Sequence, residues 1–581
     1  MATLDAAALG AEEVFADWLT RFAGALESAK VEDCFNADGY WKDILTLDWS
    51  YRTLAGPQEI RAALAAALPR VRPRAVRVNP ERLGPRALRR AGRDVVEAFF
   101  DFDTEAGRTS AFVRLHEGRA WLLVTALQEL HGFEERSGDR RPSGIRYAQS
   151  FAGDNWADER AKASRYVDHE PQVLIVGGGQ SGLALAARCG QMGVDALIVE
   201  RNERVGDNWR RRYHSLTLHN EIYANALPYV PYPPTWPSFL PKDKLAGWLE
   251  AYAEFMELNV WTATTLLSAE YDEGAGRWAA HARRADGSER TLRPSHLVVA
   301  TGSHSGIPHV PALPGLDAFA GEVMHSTAFS GAAPYAGRRA IVVGTGNSGH
   351  DIAQELFQND AARVTLVQRG PTAVVSLVPS GVMIYALYAE GPVQDMDLIY
   401  ASIPYPVLVD TYKWMTARTC DLDRELLDRL HAAGFETDFE PDGTGFHMKY
   451  LRYGGGYYIN VGCSELIADG DVGLVNMREI ETFTAGGLRL TDGREVGADL
   501  VVLATGFEPQ EVGIRRLLGD AVADRVGPVW GFDEQGFARA MWTRTGQPGL
   551  WIMGGGLNEC RLYSRFLAVQ LKAQLEGLMP A

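Results

Sequence analysis

The feature that most constrains this 581-residue chain is a strand, glycine loop, helix and strand pattern within residues 172–209. An apolar run predicts one buried strand, an amphipathic run predicts a helix, and a second strand is predicted at 196–199. The loop before the helix carries glycines at G-x-G-x-x-G spacing: Gly177, Gly179 and Gly182. The first glycine permits a tight turn, the second lets the backbone approach a pyrophosphate, and the third lets helix pack on strand.

Glu200 ends the second strand, 18 residues after Gly182. At this position a carboxylate accepts hydrogen bonds from a ribose diol, while the helix N-terminus offers N–H groups and a partial positive charge to the phosphates. The complete pattern predicts a dinucleotide site. The alternative interpretation is a glycine-rich turn that binds nothing.

Residues 338–369 repeat the pattern, with Gly344, Gly346 and Gly349 between strands predicted at 340–343 and 364–367. The repeat predicts a duplicated binding unit. Gln368 and Arg369 stand where the first unit has Glu200 and Arg201. A carboxylate would repel a ribose 2′-phosphate, whereas an arginine can pair with it through a bidentate fork. The first site therefore suits an unphosphorylated dinucleotide and the second suits NADPH. Two further strands end in Ala-Thr-Gly, at 300–302 and 504–506, and each is expected to return to a sheet edge.

The first 150 residues predict a separate α+β domain, because two helical segments precede three strand-like runs. A group of arginines between Arg70 and Arg93 is interpreted as a solvated loop. The expected divisions are an N-terminal domain at 1–150, a linker at 151–169, a first nucleotide-binding part at 170–335, a second nucleotide-binding domain at 336–485, and a return to the first at 486–581. An aromatic, helix-compatible insertion at 376–450 suggests either substrate access or a subunit contact.

Composition and charge exclude several classes of protein. The formal net charge of −16 argues against nucleic-acid binding, and no apolar run is long enough to span a membrane. The N-terminus lacks the features of a signal peptide. Five scattered cysteines without a C-x-x-C pair predict a reducing cytoplasm and argue against a zinc site or a disulfide reductase; no metal is expected.

Residues 170–575 resemble the flavin-containing monooxygenases, including the plant YUCCA type. The resemblance rests on the glycine motifs GGGQSG and GTGNSG, on GDNW at 206–209, on LATGF at 503–507, and on F-x-G-x-x-x-H-x-x-x-[YF]. Phe319, Gly321, His325 and Phe329 match this last motif, although Ser330 stands where the family usually has Lys or Pro. Related Baeyer–Villiger monooxygenases carry Trp at the Phe329 position. The N-terminal domain resembles the nuclear-transport-factor-like (SnoaL-like) cone fold.

The resemblance implies two Rossmann-like domains, one for FAD and one for NADPH, in an α/β protein with a small α+β cone-like domain before them. It also implies that NADPH reduces FAD, that O₂ adds to give a flavin hydroperoxide, and that this intermediate needs a dry pocket with a hydrogen-bond donor. His219 matches the family position of that donor, with Asn220 as the second candidate; a core histidine bonded to backbone is the structural alternative. His325 is expected to order the link between the nucleotide domains. The expected cofactor-binding residues are Gly177, Gly179, Gly182, Glu200, Asn208, Trp209, Thr301, Gly344, Gly346, Asn347, Ser348, Gly349, Arg369 and Gly506.

The function expected from these observations is NADPH- and O₂-dependent oxidation of N or S in a small, uncharged or weakly anionic molecule, or decarboxylation of a 2-oxo acid. The alternative enzyme is a Baeyer–Villiger monooxygenase acting on a ketone. A flavoprotein sensor or scaffold is the alternative from another class. A cytoplasmic location is expected, and a homodimer is left open.

Overall fold

The computed structural model describes residues 2–149, 151–302 and 304–580. The N-terminal domain is one seven-stranded sheet with two helices. Its elements are α1 (Ala2–Ser28), β1 (Phe35–Ile44), β2 (Tyr51–Ala55), α2 (Gly56–Val71), β3 (Arg74–Val78), β4 (Arg86–Arg90), β5 (Arg93–Asp103), β6 (Gly107–His116) and β7 (Arg119–Leu130). The strand order is β2-β1-β7-β6-β5-β3, and β4 also pairs with β5. The expected helices and strand meander are therefore present, while membership of the cone fold stays a prediction.

Aromatic rings fill the interior of this domain. Trp18 and Phe22 of α1 stack at 4.8 Å between ring centroids, and both rings contact Phe100 of β5. Phe35 and Trp41 of β1 complete the group, and each of these side chains is almost completely buried. The fold of this domain is thus held by packing of large apolar surfaces, each of which contributes about 1.5–3 kcal/mol on burial.

The arginines between Arg70 and Arg93 do not form the expected solvated loop. Five of the nine arginines lie on β3 and β4, and six of the nine make ion pairs. Arg82 Nη1 lies 2.7 Å from Asp395 Oδ1, and Arg86 bridges Glu97 within the sheet and Glu390 of the later insertion. The partners in the insertion lie about 300 residues further along the chain, so the local sequence gave no sign of them.

The remaining chain contains two parallel sheets joined by crossovers. Its elements are α3 (Ile145–Gln149), α4 (Trp156–Ala163), β8 (Val173–Val176), α5 (Gln180–Gln191), β9 (Ala196–Val199), α6 (Asp207–Arg210), β10 (Thr217–Glu221), β11 (Phe239–Pro241), α7 (Lys242–Phe255), β12 (Asn259–Trp261), β13 (Thr265–Asp272), β14 (Arg277–Arg283), β15 (Glu289–Leu292), β16 (His296–Val299), β17 (Glu322–His325), β18 (Arg339–Val343), α8 (Asn347–Gln358), β19 (Arg363–Gln368), β20 (Ala373–Ser376), α9 (Val393–Ala401), α10 (Tyr405–Leu422), α11 (Arg424–Ala432), α12 (Gly445–Tyr453), β21 (Tyr457–Asn460), α13 (Cys463–Ala468), β22 (Val472–Asn476), β23 (Ile480–Thr484), β24 (Gly487–Leu490), β25 (Glu495–Gly497), β26 (Leu500–Leu503), α14 (Gln510–Leu518), α15 (Asp520–Val526), β27 (Leu550–Ile552) and α16 (Leu557–Leu575).

The first parallel sheet has the order β12-β9-β8-β16-β27, and the second has the order β17-β26-β18-β19-β22. Two expected domain boundaries need correction. Residues 322–325 and 500–503 were assigned to the first nucleotide domain, yet both strands pair in the second sheet, which moves the crossings outward from 336 and 486. The strands that end in Ala-Thr-Gly, β16 and β26, also lie inside their sheets and not at the edge.

Both glycine loops have the same close geometry. Gly177 and Gly344 have φ values of +115° and +119°, and a Cβ on either would lie 2.6 or 2.4 Å from the carbonyl oxygen of Ala300 or Ala504. The alanine of each Ala-Thr-Gly motif therefore presses its backbone against the first glycine of the loop. A Cβ on Gly182 or Gly349 would lie 2.0 Å from the oxygen of that first glycine, so only glycine lets α5 and α8 approach.

Among the described residues, no helix is both long and apolar enough to cross a bilayer. Small antiparallel sheets of three strands extend each nucleotide-binding unit, β13-β14-β15 in the first and β23-β24-β25 in the second. The insertion contributes four helices, α9 to α12, and β20 pairs with β21 next to it. This insertion lies against the N-terminal domain and against α16, as the ion pairs of Asp395 and Asp397 show.

The equivalent glycines of the two loops predict a separation of the two cofactor sites. We expect Gly182→Ala to yield protein that lacks FAD, because its Cβ would force α5 away from the loop. Gly349→Ala should keep FAD and lose affinity for NADPH. The measurements are flavin content of the purified protein and the KM for NADPH. Gly190→Ala is the control on α5, because a Cβ there has no atom within 4 Å; flavin loss in both α5 variants would contradict the assignment.

Candidate FAD and NADPH sites

The first glycine loop is closed by the carboxylate at the end of β9. Glu200 Oε2 accepts a hydrogen bond of 2.6 Å from the backbone N–H of Gly178. Its other oxygen accepts from the backbone and the side chain of Asn202, at 2.8 and 2.7 Å. The expected ribose-binding acid therefore also holds the loop in shape. Its side chain is buried beside the glycines, where it presents a fixed negative charge.

Asn208 and Trp209, which sequence reasoning assigned to the same site, lie against this loop. They belong to α6, which begins after Gly206 at a φ of +89°. Trp209 Nε1 donates to Gln180 Oε1 at 3.3 Å, and a Cβ on Gly179 would lie 3.3 Å from Asn208 Nδ2. The structure thus brings the GDNW segment and the first glycine loop together.

At the second loop the residue equivalent to Glu200 is Gln368, which binds a neighbouring segment of the chain. Gln368 is completely buried, and its amide bonds to both backbone groups of Glu436, at 2.8 and 2.9 Å. The following Arg369 is exposed and has no hydrogen bond or ion pair with any described residue. Arg369 is the counterpart of Arg201 in the first site. The two sites therefore differ in the carboxylate of Glu200, which the neutral amide of Gln368 replaces in the second. That difference is what an added ribose phosphate requires.

The remaining expected cofactor residues differ in how far they are free to bind. Asn347 Oδ1 accepts from the N–H of Ile459, while Ser348 follows it in the first turn of α8. Thr301 Oγ1 accepts from Gln510 Nε2 at 3.0 Å. The carbonyl of Gly506 accepts from His325 Nε2, also at 3.0 Å. His325 thus bonds the backbone just after β26 leaves the second sheet, and its role in ordering the link between the domains stays a prediction.

His219 and Asn220 lie on β10 and differ in their partners. Asn220 Nδ2 donates to Tyr385 Oη of the insertion at 3.2 Å. The half-buried His219 has no hydrogen bond to any described residue, and burial lowers its pKa to about 4. Its imidazole is therefore neutral at physiological pH, with a ring N–H free to donate. This arrangement contradicts the alternative of a core histidine bonded to backbone.

The glycine turn before α16 lies next to the first loop. Gln180 Nε2 approaches the carbonyl of Gly555 at 3.5 Å. Glu559 caps the helix, because its Oε2 accepts from the N–H of Gly556 and from Tyr450 Oη, both at 2.7 Å. Burial raises the pKa of this carboxyl above its usual range. Sequence reasoning missed Glu559, although an acid three residues after the cap residue is a recognised capping signal.

A cavity of about 70 Å³ lies behind this turn, between the insertion, the 530–542 segment and α16. One water molecule needs roughly 10–15 Å³, so the space can hold a larger group. Its largely aromatic wall suits a group of about one aromatic ring. Trp530 and Trp542 in its wall have φ values of +73° and +61°. Such backbone conformations are uncommon for bulky residues and cluster at functional sites. Its aromatic wall consists of Tyr400, Trp530, Phe532, Phe537, Trp542 and Tyr563.

Both cradles fit the dinucleotides that the sequence predicts. The first combines glycines that leave room for a pyrophosphate with a carboxylate for a ribose, and the second combines the same glycines with a free arginine. The fit rests on two separate observations in each site.

Comparison with known proteins agrees with this geometry. Residues 170–389 match the flavin-binding monooxygenase-like family. The chain is 30% identical over 355 residues to indole-3-pyruvate monooxygenase YUCCA1 of Oryza sativa subsp. japonica, which covers 60% of this chain and 80% of that protein. It is 30% identical over 343 residues to YUCCA8 of Oryza sativa subsp. indica, covering 58% and 75%.

Solved structures share the fold. Cyclohexanone monooxygenase bound to ε-caprolactone has a TM-score of 0.53 at 17% identity, with 70% of this chain and 88% of that chain covered. OTEMO in complex with FAD and NADP has a TM-score of 0.51 at 20% identity, with 70% and 84% covered. The expected fold class, with two dinucleotide-binding domains, is confirmed. The chain belongs to the flavin-containing monooxygenase family and is an oxidoreductase that uses FAD and NADP(H).

Proposed function

We propose that this enzyme uses NADPH and O₂ to oxidise a small organic molecule, either at a nitrogen or sulfur atom or by decarboxylating a 2-oxo acid. The observation that carries the proposal is the pair of like cradles that differ in one charge: the first has the carboxylate of Glu200, and the second has the neutral Gln368 beside the free Arg369. The relatives favour the second reaction, because indole-3-pyruvate, in the name of the rice proteins, is a 2-oxo acid. The likeness to cyclohexanone monooxygenase concerns the fold alone.

Phe329 bears on the choice between oxygenase types in a limited way. Its side chain is buried in the second nucleotide-binding domain and stacks on Tyr335 at 6.0 Å between ring centroids. Phe329 packs in the core of this domain and does not line the cavity next to α16. The phenylalanine therefore supports the heteroatom-oxidising branch through family resemblance only, and ketones belong among the compounds to be tested.

In this proposal the residues divide the work as follows. Glu200 and the first glycine loop hold FAD, and Arg369 and the second loop hold NADPH. When bound, FAD would supply the acceptance of a hydride from NADPH and the reaction with O₂. His219 offers an uncharged N–H donor at the flavin, since an imidazole with a pKa of about 4 carries no charge at neutral pH. Tyr385 of the insertion contacts β10 through Asn220 and would help to shield the site from water.

A cytoplasmic location is also part of the proposal, and a homodimer is left open. All five cysteines are unpaired, and four of them are buried, which is typical of proteins from a reducing compartment. Light scattering on the purified enzyme would establish the number of subunits.

The decisive experiment is product identification. The purified enzyme is given NADPH and O₂ with amines, thioethers, ketones and 2-oxo acids, and products are identified by mass spectrometry. We expect an N-oxide, an S-oxide or a shortened acid, with one NADPH consumed per product. An ester or lactone from a ketone, with no other product, would identify a Baeyer–Villiger enzyme instead.

Arg369→Ala tests the assignment of the second cradle. We expect the KM for NADPH to rise by the equivalent of ~1.5–3 kcal/mol, because a charge-assisted hydrogen bond to the 2′-phosphate is lost. The KM for NADH should change little. Arg363→Ala is the matched control, because this exposed arginine lies at the opposite end of β19. Equal effects of Arg369→Ala on both coenzymes would remove Arg369 from the 2′-phosphate.

His219→Ala tests the proposed donor. We expect the variant to release more hydrogen peroxide per NADPH consumed. In the wild type this ratio should depend little on pH between about pH 6 and 9, because a histidine with a pKa of about 4 stays neutral there. Asn220→Ala distinguishes the second candidate, and His214→Ala is the control at a nearby exposed histidine. A product-to-NADPH ratio that His219→Ala leaves unchanged would exclude any such role for His219.

A further inference from the structure

The cavity behind the α16 glycine turn receives one side chain from the N-terminal domain. Lys42 of β1 lines it, together with residues of the insertion, of the 530–542 segment and of α16. The family match spans residues 170–389, so Lys42 and the other residues that line the cavity all lie outside the matched region. The N-terminal domain is therefore part of the wall of a cavity in the cofactor-binding half.

Lys42 is a buried cation without a carboxylate partner. Only 6% of the residue is exposed, and its Nζ donates to the carbonyl of Ile403 at 3.1 Å. The same Nζ lies 4.5 Å from the centroid of the Phe537 ring. No carboxylate of the described residues lies within ion-pair distance of it. Because a buried charge is unfavourable unless it is paired, this ammonium group lacks the anion that would compensate it.

Lys42 stays charged at neutral pH despite its burial. Burial lowers its pKa to about 8, and the charge of Asp533 opposes that shift. At neutral pH the ammonium form therefore predominates. An ammonium group has three N–H donors, and one of them is used by Ile403. The other two are available to a ligand in the cavity.

The position of Lys42 is fixed by the contact between the two halves of the molecule. In the β1–β2 ladder, Lys42 pairs with Thr53, whose hydroxyl donates to the carbonyl of Gln535 at 2.8 Å. Tyr51 Oη donates to the carbonyl of Trp542 at 2.9 Å. The N-terminal sheet thus docks on the segment that forms the aromatic wall.

Residues in the wall of the cavity also contact the glycine turn that lies next to the first cradle. Trp542 Nε1 donates to the carbonyl of Gly554 at 3.1 Å, and its ring stacks on Tyr563 at 3.9 Å. Glu559, at the same turn, lines the cavity as well. One wall therefore belongs to the glycine turn that Gln180 of the first loop approaches. A molecule in this cavity would lie next to the expected flavin site.

We propose that the N-terminal domain completes the substrate pocket, and that Lys42 binds an anionic group, a carboxylate, on a substrate of about one aromatic ring. The aromatic wall accommodates the ring, and the ammonium group pairs with the acid. The inference rests on the proposed function, because it assigns the cavity to the substrate of that reaction. It narrows the expected class of small, uncharged or weakly anionic molecules to the anionic ones.

The test compares acids with their neutral amides. Benzoate, phenylacetate and 3-phenylpropanoate, each beside its primary amide, are titrated into the FAD-containing enzyme while the flavin absorption spectrum is followed. We expect at least one acid to bind tighter than its amide by about tenfold or more, as a charge-assisted hydrogen bond gives. Lys42→Met should abolish this preference and leave the affinity for the amide unchanged. Thr53→Val, which removes an uncharged contact of the same interface, should keep the preference.

The outcomes separate this inference from the function on which it rests. Wild-type protein that binds no flavin, or that consumes no O₂ with NADPH, would contradict the proposed function. If both activities are present and Lys42→Met retains the preference for acids, or if the wild type shows none, the assignment of Lys42 is wrong. Should Lys42→Met fail to fold, Lys42→Gln is measured in the same way, because it removes the charge and keeps a polar side chain.

Discussion

The structure depends on one close approach, made twice, between the backbone of a glycine loop and the backbone of the strand beside it. Gly177 faces Ala300 and Gly344 faces Ala504 at distances that leave no room for a side chain. Because the loop lies so close to the sheet, the following helix begins directly at the strand ends. The N–H groups of its first turn then point at the space where a pyrophosphate would lie. Every later feature of the two sites is arranged around that space.

The two sites differ in charge because Glu200 stands at the position that Gln368 occupies in the second site. Glu200 closes its loop through the N–H of Gly178 and keeps a negative charge beside the ribose position. At the second site Gln368 holds a neighbouring segment through the backbone of Glu436, which leaves the adjacent Arg369 exposed. A duplicated fold has thus been adapted to two coenzymes by exchanging a loop-closing acid for a buried amide. The geometry of the glycines did not need to change.

The sequence predicted those features that depend on neighbours in the chain. The glycine spacing and the residues at the strand ends locate both cradles, and the structure places the second strand of the first unit at the expected residues 196–199. Membership of a sheet is different, because it depends on partners that are distant in sequence. The strands at 322–325 and 500–503 were therefore assigned to the wrong domain. The expectation of solvated side chains at Arg82 and Arg86 is wrong for the same reason, since Asp395 and Glu390 contact them only in the folded chain. Lys42 and Glu559, far apart in sequence, meet at one cavity that no local pattern could indicate.

The docking of β1 and β2 on the 530–542 segment has a consequence for how the enzyme can be made. The N-terminal domain supplies one side of a cavity whose other side includes the 530–542 segment and α16. A shortened protein that starts at the first glycine motif would keep both nucleotide cradles. It would also expose Phe537 and Tyr563, which now pack against Tyr51, and leave one side of the cavity open to water. The proposed substrate pocket therefore depends on parts of the chain outside the region that defines its family.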